Sequence, residues 1–144
     1  MQRISINGVR ALLLFLLLWG VACSGSGEAG PQTDMLLTWG RYGGFAGFCD
    51  EMSISISGEV RIQSCRPKSE KVVKLSSEDS SRLDRWRKSF GSVVIESNDG
   101  AVADSMTIKL TLKGTGAGQP TEMQRREILE WAEGVYSRTK SSAQ

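Results

Sequence analysis

Apolar and polar residues alternate between Met52 and Ile62, and this period of two predicts a β-hairpin with one buried face. Apolar partners on the same face require Ile54 opposite Val60 and Met52 opposite Ile62. That register leaves a three-residue turn ending at Gly58, which supplies the left-handed backbone that such turns need. The pattern therefore predicts the pairing of the two strands as well as their existence.

The same register predicts a disulfide. Extended outward, it places Cys49 directly opposite Cys65, on the face away from Ile54, at a separation that a disulfide spans. Metal binding is a poor alternative, because the two cysteines stand 16 positions apart and structural zinc takes four nitrogen or sulfur ligands at closer spacing. We therefore predict that Cys49 and Cys65 are joined.

The remaining elements follow from helix caps and apolar spacing. Ser76, with Asp79 three residues later, caps a helix over residues 77–90. Thr121 and Gln124 form a capping box that opens a second helix. Three further strands are predicted over residues 34–39, 92–97 and 105–113.

The predicted element order is β-β-β-α-β-β-α, with hairpin-length connections between strands. An α+β fold, in which two helices cover a small antiparallel sheet, accommodates this order. About 110 residues are enough for one modest core and not for two. We expect a single domain over residues 34–138 and a disordered tail over residues 139–144. The residues predicted to form the inner helix faces are Leu83, Trp86, Phe90, Ile128, Ala132 and Val135.

The first 22 residues have the organisation of an export signal. Arg3 and Arg10 precede an apolar run over residues 11–21, and the small residue Ala22 follows it. This run of about 11 residues is too short to cross a hydrocarbon layer that needs about 20 residues of helix. Residues 1–22 are therefore predicted to be a signal peptide that is removed.

The GVAC sequence that ends at Cys23 resembles the bacterial lipobox, whose cysteine is acylated and becomes the first residue of the mature protein. Acyl chains hold to a bilayer because each buried methylene contributes about 0.8 kcal/mol. We expect Cys23 to anchor the protein to a membrane of the bacterial cell envelope, with residues 23–33 as a flexible tether. Because Gly20 stands where lipoboxes usually have leucine, cleavage after Ala22 to give a soluble secreted protein is the alternative.

Charge and composition exclude several classes of function. Removal of residues 1–22 takes away two of the 18 basic side chains, which leaves 16 against 16 acidic ones. That balance argues against a nucleic-acid partner, since proteins that bind nucleic acids have a clearly basic face. The chain has no histidine, the usual general base and the commonest zinc ligand. We therefore predict a protein that is not an enzyme and uses no metal or cofactor.

Two further motifs carry weak signals. Residues 114–118 read GTGAG between a strand and a helix, a context in which glycines bind phosphate. The segment lacks the Lys-Ser of a phosphate loop, and Gln119 stands in place of the third glycine of the dinucleotide fingerprint. Asp50 and Glu51 are adjacent on a strand, so their carboxylates point to opposite faces and do not form an acid–base pair. Both are expected to be solvated.

The segment RYGGFAGF, residues 41–48, connects the first strand to the hairpin and is the main candidate for binding. Its glycines permit backbone conformations that other residues cannot follow. In one interpretation it is a bulge or wide turn whose Phe45 packs in the core. In the other it is a recognition loop that presents Phe45 as an apolar anchor. The candidate binding residues are Gly43, Gly44, Phe45, Ala46 and Gly47.

Several features together resemble the emfourin family: GGFAG shortly after an initial strand, a helix ending at Phe90, VADSMTIKL over residues 102–110 with Asp104, and a closing helix. Emfourins are small bacterial protein inhibitors of thermolysin-like zinc metalloproteases, and the resemblance covers residues 35–136. It implies an α+β fold and a binding function for the glycine-phenylalanine loop. It also implies a thermolysin-like metalloprotease as the partner.

The sequence thus favours a membrane-tethered envelope lipoprotein that acts as a non-enzymatic binding module, in the manner of an emfourin-like protease inhibitor. The alternative is a structural or accessory envelope lipoprotein without a protease partner. In that case residues 43–47 form only a folded corner of the domain.

Overall fold

The computed structural model describes residues 34–98 and 105–142. The export signal, the whole tether from Cys23 to residue 33, and Asp104 lie outside the described residues. The elements are β1 (Met35–Gly43), β2 (Phe48–Ser55), β3 (Glu59–Cys65), β4 (Lys68–Lys74), α1 (Ser77–Ser89), β5 (Val93–Asn98), β6 (Met106–Leu112) and α2 (Glu122–Ser141).

The six strands form one antiparallel sheet in the order β4-β3-β2-β1-β6-β5. Strand β1 therefore lies inside the sheet, hydrogen-bonded to β2 on one side and to β6 on the other. Both helices contribute their apolar faces to a single core. The α+β prediction is confirmed, and the described helices and strands follow the predicted order with one strand added.

The predicted hairpin register is confirmed. Ile54 lies opposite Val60, and Met52 lies opposite Ile62. Gly58 has a φ of 77°, and its N–H donates to the Ser55 carbonyl at 2.9 Å. The turn therefore has the left-handed glycine that the alternation required.

The disulfide follows from that register. The structure joins Cys49 and Cys65, whose Cα atoms are 5.7 Å apart. The bond lies on the face of the sheet that the helices leave open, because Cys49 and Ile54 are an odd number of positions apart on β2. It ties β2 to β3 at the end of the sheet where the β1–β2 turn is found.

The core lies between one sheet face and the two helices. Leu37, Ile54 and Val60 have no exposed surface on the sheet side, and Leu83 and Ile128 are fully or almost fully buried on the helix side. Burial of such apolar area contributes about 25 cal/mol per Å². The other buried apolar residues are Leu36, Trp39, Met52, Ile62, Leu75, Trp86, Phe90, Val93, Leu110, Leu112, Trp131, Ala132, Val135 and Tyr136.

Both predicted helix starts are observed. The Ser76 hydroxyl oxygen accepts from the Asp79 N–H at 3.0 Å, and Thr121 with Gln124 forms a complete capping box. Asp79 also accepts a hydrogen bond from Trp131 Nε1 at 2.7 Å, which joins the first turn of α1 to α2. The caps therefore orient the helices as well as begin them.

Strand β4 was not predicted. Its sequence, KSEKVVK, has only one side chain, Val73, that packs against the core, so the alternation of apolar residues is too weak to show. Its pairing with β3 over Glu59 to Cys65 makes it a strand nevertheless. Backbone hydrogen bonds to an existing neighbour do not require apolar side chains.

The prediction of a disordered tail from residue 139 is wrong for residues 139–141. Helix α2 continues to Ser141, and Thr139 is buried. Lys71 Nζ donates to the Thr139 carbonyl at 2.6 Å and to Ser142 Oγ at 2.7 Å. A cation at the helix C-terminus interacts favourably with the last carbonyl groups, which helps to hold the last turn in place.

The GTGAG segment crosses the C-terminal end of α1. The Thr115 N–H donates to the Arg87 carbonyl at 2.8 Å, and the Gly116 N–H donates to the Phe90 carbonyl at 2.8 Å. A Cβ on Gly116 would lie 2.3 Å from the Lys88 carbonyl oxygen, so only glycine permits this approach. These N–H groups cap a helix and are not free to bind phosphate.

Candidate functional site

The connection between β1 and β2 is tighter than the sequence indicated. Arg41 and Tyr42 still belong to β1, Gly43 pairs with Phe48, and only residues 44–47 form the turn. The Gly47 N–H donates to the Gly44 carbonyl at 2.8 Å, which closes a β-turn. The candidate loop of residues 41–48 is therefore the end of a hairpin, with Phe45 and Ala46 at its tip.

Glycine is required on both sides of this tip. Gly43 and Gly47 have φ values of 81° and 61°, in the left-handed region that L side chains rarely adopt. A Cβ on Gly43 would also lie 2.9 Å from the Ser105 carbonyl oxygen, and one on Gly47 would lie 3.0 Å from Arg66 Nη1. The turn is thus packed closely against the ends of neighbouring strands.

Phe45 is 97% exposed. The interpretation that packs it in the core therefore does not hold in this structure. A free phenylalanine ring in water forgoes the stabilisation of about 1.5–3 kcal/mol that full burial of such a side chain provides. At this exposure the ring adds almost nothing to the packing of the described residues.

The base of the turn is held from three directions. The Gly44 N–H donates to the Ser105 carbonyl at 3.3 Å, which ties the turn to the start of β6. Cys49, the residue after Phe48, is joined to Cys65 by the disulfide. The Arg41 guanidinium lies over the Phe48 ring, 4.0 Å from its centroid, in a cation–π contact.

Behind the turn, Arg41 and Asp50 form a cross-strand ion pair on the helix-covered face. Arg41 Nη2 donates to Asp50 Oδ2 at 2.6 Å, and Asp50 is only 3% exposed. Ser64 and Tyr136 also hydrogen-bond the carboxylate, and Lys140 Nζ lies 3.9 Å from Oδ1. The cluster joins β1, β2, β3 and α2 directly beneath the candidate site.

These contacts keep Asp50 ionised. Burial opposes its charge, but the hydrogen bonds from Arg41, Ser64 and Tyr136, together with the charge of Lys140, outweigh burial and hold the pKa of Asp50 below its ordinary value. The expectation that Asp50 is solvated is wrong. Its register partner across the turn, Arg41, supplies the compensation that makes burial of the carboxylate tolerable.

On the open face of the sheet, Tyr42 and Glu51 hold the same end of the hairpin. The Tyr42 ring lies across Gly40, where a Cβ would come 2.5 Å from its hydroxyl oxygen. The Tyr42 hydroxyl donates to Glu51 Oε1 at 2.8 Å. Burial, followed by this hydrogen bond and the carboxylate charge, raises the pKa of Tyr42 to about 12. Asp50 and Glu51 thus point to opposite faces, as expected, and each holds a different β1 side chain.

The arrangement projects an apolar side chain from a turn that is hydrogen-bonded at its base. Among the described residues, no group of three or more histidine, cysteine, aspartate or glutamate side chains could hold a metal ion. The helices in this part of the chain are too short or too polar to cross a membrane. The functional residues that sequence reasoning missed are Arg41 and Asp50. Their pairing could have been found only by centring the turn on residues 45 and 46.

The chain was also compared with known proteins. It matches no family model, no curated protein and no solved structure.

Proposed function

We propose that the folded unit is a non-enzymatic binding module whose recognition element is the β1–β2 turn. The observation that carries this proposal is the nearly complete exposure of Phe45 at the tip of a turn that is fixed at its base. An exposed aromatic ring on a backbone that is held in one position is the kind of side chain that acts as an anchor in a partner's pocket.

The rigidity of the turn supports the proposal energetically. Association costs free energy when loops must be ordered, and a segment that is already ordered avoids part of that cost. Here the β-turn hydrogen bond, the contact from Gly44 to Ser105 and the Cys49–Cys65 disulfide hold the backbone before any partner arrives. Most of the free energy gained by burying Phe45 is then available for binding.

We propose a thermolysin-like metalloprotease as the partner, from the resemblance of the turn and its surroundings to emfourins. Such proteases favour a large apolar side chain on the primed side of the scissile bond, and Phe45 supplies one. Gly44 and Gly47 let the backbone approach the cleft closely, and a turn carbonyl faces the metal. The module then inhibits because its fixed backbone resists the rearrangement that cleavage requires.

We further propose that acylated Cys23 holds this module at a membrane of the cell envelope. The support is the sequence of residues 1–23 and the glycine- and serine-rich tether that follows. The full chain and its Cys23→Ser variant should separate in detergent partitioning, with only the variant in the aqueous phase. Equal recovery of both in the aqueous phase would refute acylation and support the soluble secreted form.

The binding proposal is tested with protein purified from cells that express the full chain carrying Cys23→Ser. It is titrated against a panel of thermolysin-like proteases from the same source. Phe45→Ala should weaken inhibition by at least ~2 kcal/mol, the scale of a buried aromatic anchor, with no loss of folding stability. Ile56→Ala is the matched control, because Ile56 is an exposed apolar residue in the β2–β3 turn at the opposite end of β2.

Ile56→Ala should inhibit as the native chain does. If no protease is bound or inhibited, the metalloprotease proposal fails and an accessory envelope lipoprotein takes its place. If inhibition occurs but Phe45→Ala matches the native chain, the recognition element lies elsewhere on the surface.

A further inference from the structure

The two edges of the sheet are built differently. Edge strand β4 carries three lysines, Lys68, Lys71 and Lys74, among its seven residues. Lysines on an edge, and charged side chains that point inward as Lys71 does, prevent another strand from pairing there. Edge strand β5, VVIESN, contains neither lysine nor proline. Natural sheets protect an edge in this way where pairing is unwanted, so the unprotected β5 edge calls for an explanation.

The backbone of β5 directs some of its hydrogen-bonding groups away from the sheet. The Lys113 N–H, just after β6, donates to the Leu36 carbonyl of β1. Because successive residues of a strand direct their backbone groups to opposite sides, the odd-numbered residues of β6 bond to β1 and the even-numbered ones bond to β5. Ile95, which lies opposite Leu110, is therefore bonded within the sheet. Val94 and Glu96 direct their N–H and carbonyl groups outward, where no described strand pairs with them.

A groove runs along this edge, between β5 and the first half of α2. Its volume is about 510 Å³. Arg125 Nη1 reaches across it and donates to the Val94 carbonyl at 3.2 Å, and this is the hydrogen bond that covers the edge. The lining residues are Val94, Ile95, Glu96, Ser97, Glu122, Arg125, Arg126 and Leu129.

The charges of the groove point to a second copy of this chain as its occupant. Two acidic and two basic side chains line it, so the patch complements itself when a two-fold axis brings it against its own copy. Arg126 makes no ion pair with any other described residue, and Glu122 is paired only at 3.7 Å with Arg125. A partner with predominantly one sign of charge would place like charge against two of these four side chains.

We propose that two copies of the protein associate through antiparallel pairing of their β5 strands, which extends the sheet across both molecules. Side-chain chemistry selects the register. Glu96 opposite Glu96 would place like charges together, whereas Val94 opposite Glu96 avoids this. In the latter register the Ile95 side chains of the two copies lie against each other on the helix-covered side of the sheet, beside Leu129. The half-buried surfaces of these apolar side chains are then covered.

The topology sets where the recognition turns lie in this dimer. Strand β5 is antiparallel to β6, and β6 is antiparallel to β1, so β1 and β5 run in the same direction. Because the two β5 strands run in opposite directions, the two β1–β2 turns lie at opposite ends of the joined sheet. Each copy therefore presents its own Phe45 to a separate partner molecule.

The test is sedimentation velocity over a wide range of concentrations, on protein purified from the full chain carrying Cys23→Ser. The native chain should pass from monomer to dimer as its concentration rises. Val94→Glu should weaken dimerisation by at least ~10-fold, or about 1.4 kcal/mol, because in this register it places a second carboxylate opposite Glu96. Val72→Glu is the matched control, because Val72 is a valine on edge strand β4 that is 47% exposed, against 55% for Val94. It should dimerise as the native chain does.

A second variant tests the backbone pairing. Glu96→Pro removes an N–H that points away from β6, so the monomer should keep its far-UV circular dichroism while dimerisation is lost. A mixture of Val94→Cys and Glu96→Cys chains should form an intermolecular disulfide on oxidation, since paired residues in this register lie within disulfide range.

Three results would overturn the proposal: a native chain that stays monomeric at every concentration, a Val94→Glu variant that dimerises as well as Val72→Glu, or a dimer whose cysteine mixture does not cross-link. The first would show that Arg125 serves as an edge cap. The other two would place the contact between copies on a different surface.

Discussion

Replacing Arg41 by methionine tests the argument that its ion pair with the buried Asp50 carboxylate holds the base of the β1–β2 turn. Asp50 is 3% exposed and accepts from Arg41 at 2.6 Å. Removal of one partner of a buried pair costs about 3–5 kcal/mol, because the remaining charge stays buried without compensation. We therefore expect Arg41→Met to lower the free energy of unfolding substantially.

The structure places the expected loss near the lower end of that range, at about 3 kcal/mol. Lys140 Nζ is 3.9 Å from the carboxylate, and Ser64 and Tyr136 still hydrogen-bond it. The substitution also removes the buried Arg41 Nε, which has no hydrogen-bond partner among the described residues. Methionine keeps an apolar stem against Phe48, so the packing of the ring is largely retained.

The assay is urea denaturation followed by tryptophan fluorescence, with Trp39 close to the substituted site. Arg61→Met is the control, because Arg61 donates to Glu70 at 2.8 Å while the two side chains are 45% and 49% exposed. Exposed pairs contribute about 0–1 kcal/mol, so the control should lose little. Equal losses in the two variants, or a loss below about 1 kcal/mol for Arg41→Met, would refute the reasoning.

The same cluster sets a dependence on pH. The pKa of Asp50 is lower in the folded state than the ordinary value of about 3.9, so its carboxylate stabilises the fold above that value. The contribution is lost as pH falls through the lowered pKa. Asp50→Asn should therefore reduce the loss of stability below about pH 3.9. An unchanged acid dependence in this variant would contradict the assignment.

Three further predictions follow from the fold. Gly116→Ala should destabilise the fold by about 1–3 kcal/mol in thermal unfolding, because the added Cβ would meet the backbone of α1. Gly134→Ala is the control: its Cβ would meet only the end of a flexible arginine, so the change should be neutral or stabilising by up to about 1 kcal/mol. Loss of the Cys49–Cys65 disulfide should lower the free energy of unfolding by about 3 kcal/mol. Mass-shift labelling of the purified protein should find neither thiol free, and two labelled thiols would contradict the bond. Tyr42 should remain protonated at pH 10 in ultraviolet titration, given its pKa of about 12, and an ordinary tyrosinate transition would contradict its hydrogen bond.

Several local features of this protein were predicted correctly because nearby residues determine them. The period-two pattern from Met52 to Ile62 set the hairpin register, and through it the opposition of Cys49 and Cys65. The caps at Ser76 and Thr121 set the helix starts, because the donors they satisfy lie within three residues of each cap.

The candidate site was predicted only in part. The glycine-rich composition of residues 43–47 indicated an unusual backbone, and the left-handed φ values agree with it. Composition could not decide whether Phe45 packs inward or projects outward, because that depends on which surfaces of the fold remain free near the turn. It also did not reveal Arg41 as the partner of Asp50, since their pairing depends on the length of the turn between them.

The tertiary structure alone decided the features whose partners lie far away in the chain. Strand β4 forms because β3 offers it a row of backbone groups, although its own side chains are mostly polar. The glycines of GTGAG serve the end of α1, which lies more than 20 residues earlier. Strand β5 is an edge strand because the sheet order places it last. Local pattern determined most of the helices and strands, β4 excepted. Long-range backbone pairing and close approach determine which neighbours each element meets, and these neighbours are not encoded in any single stretch of sequence.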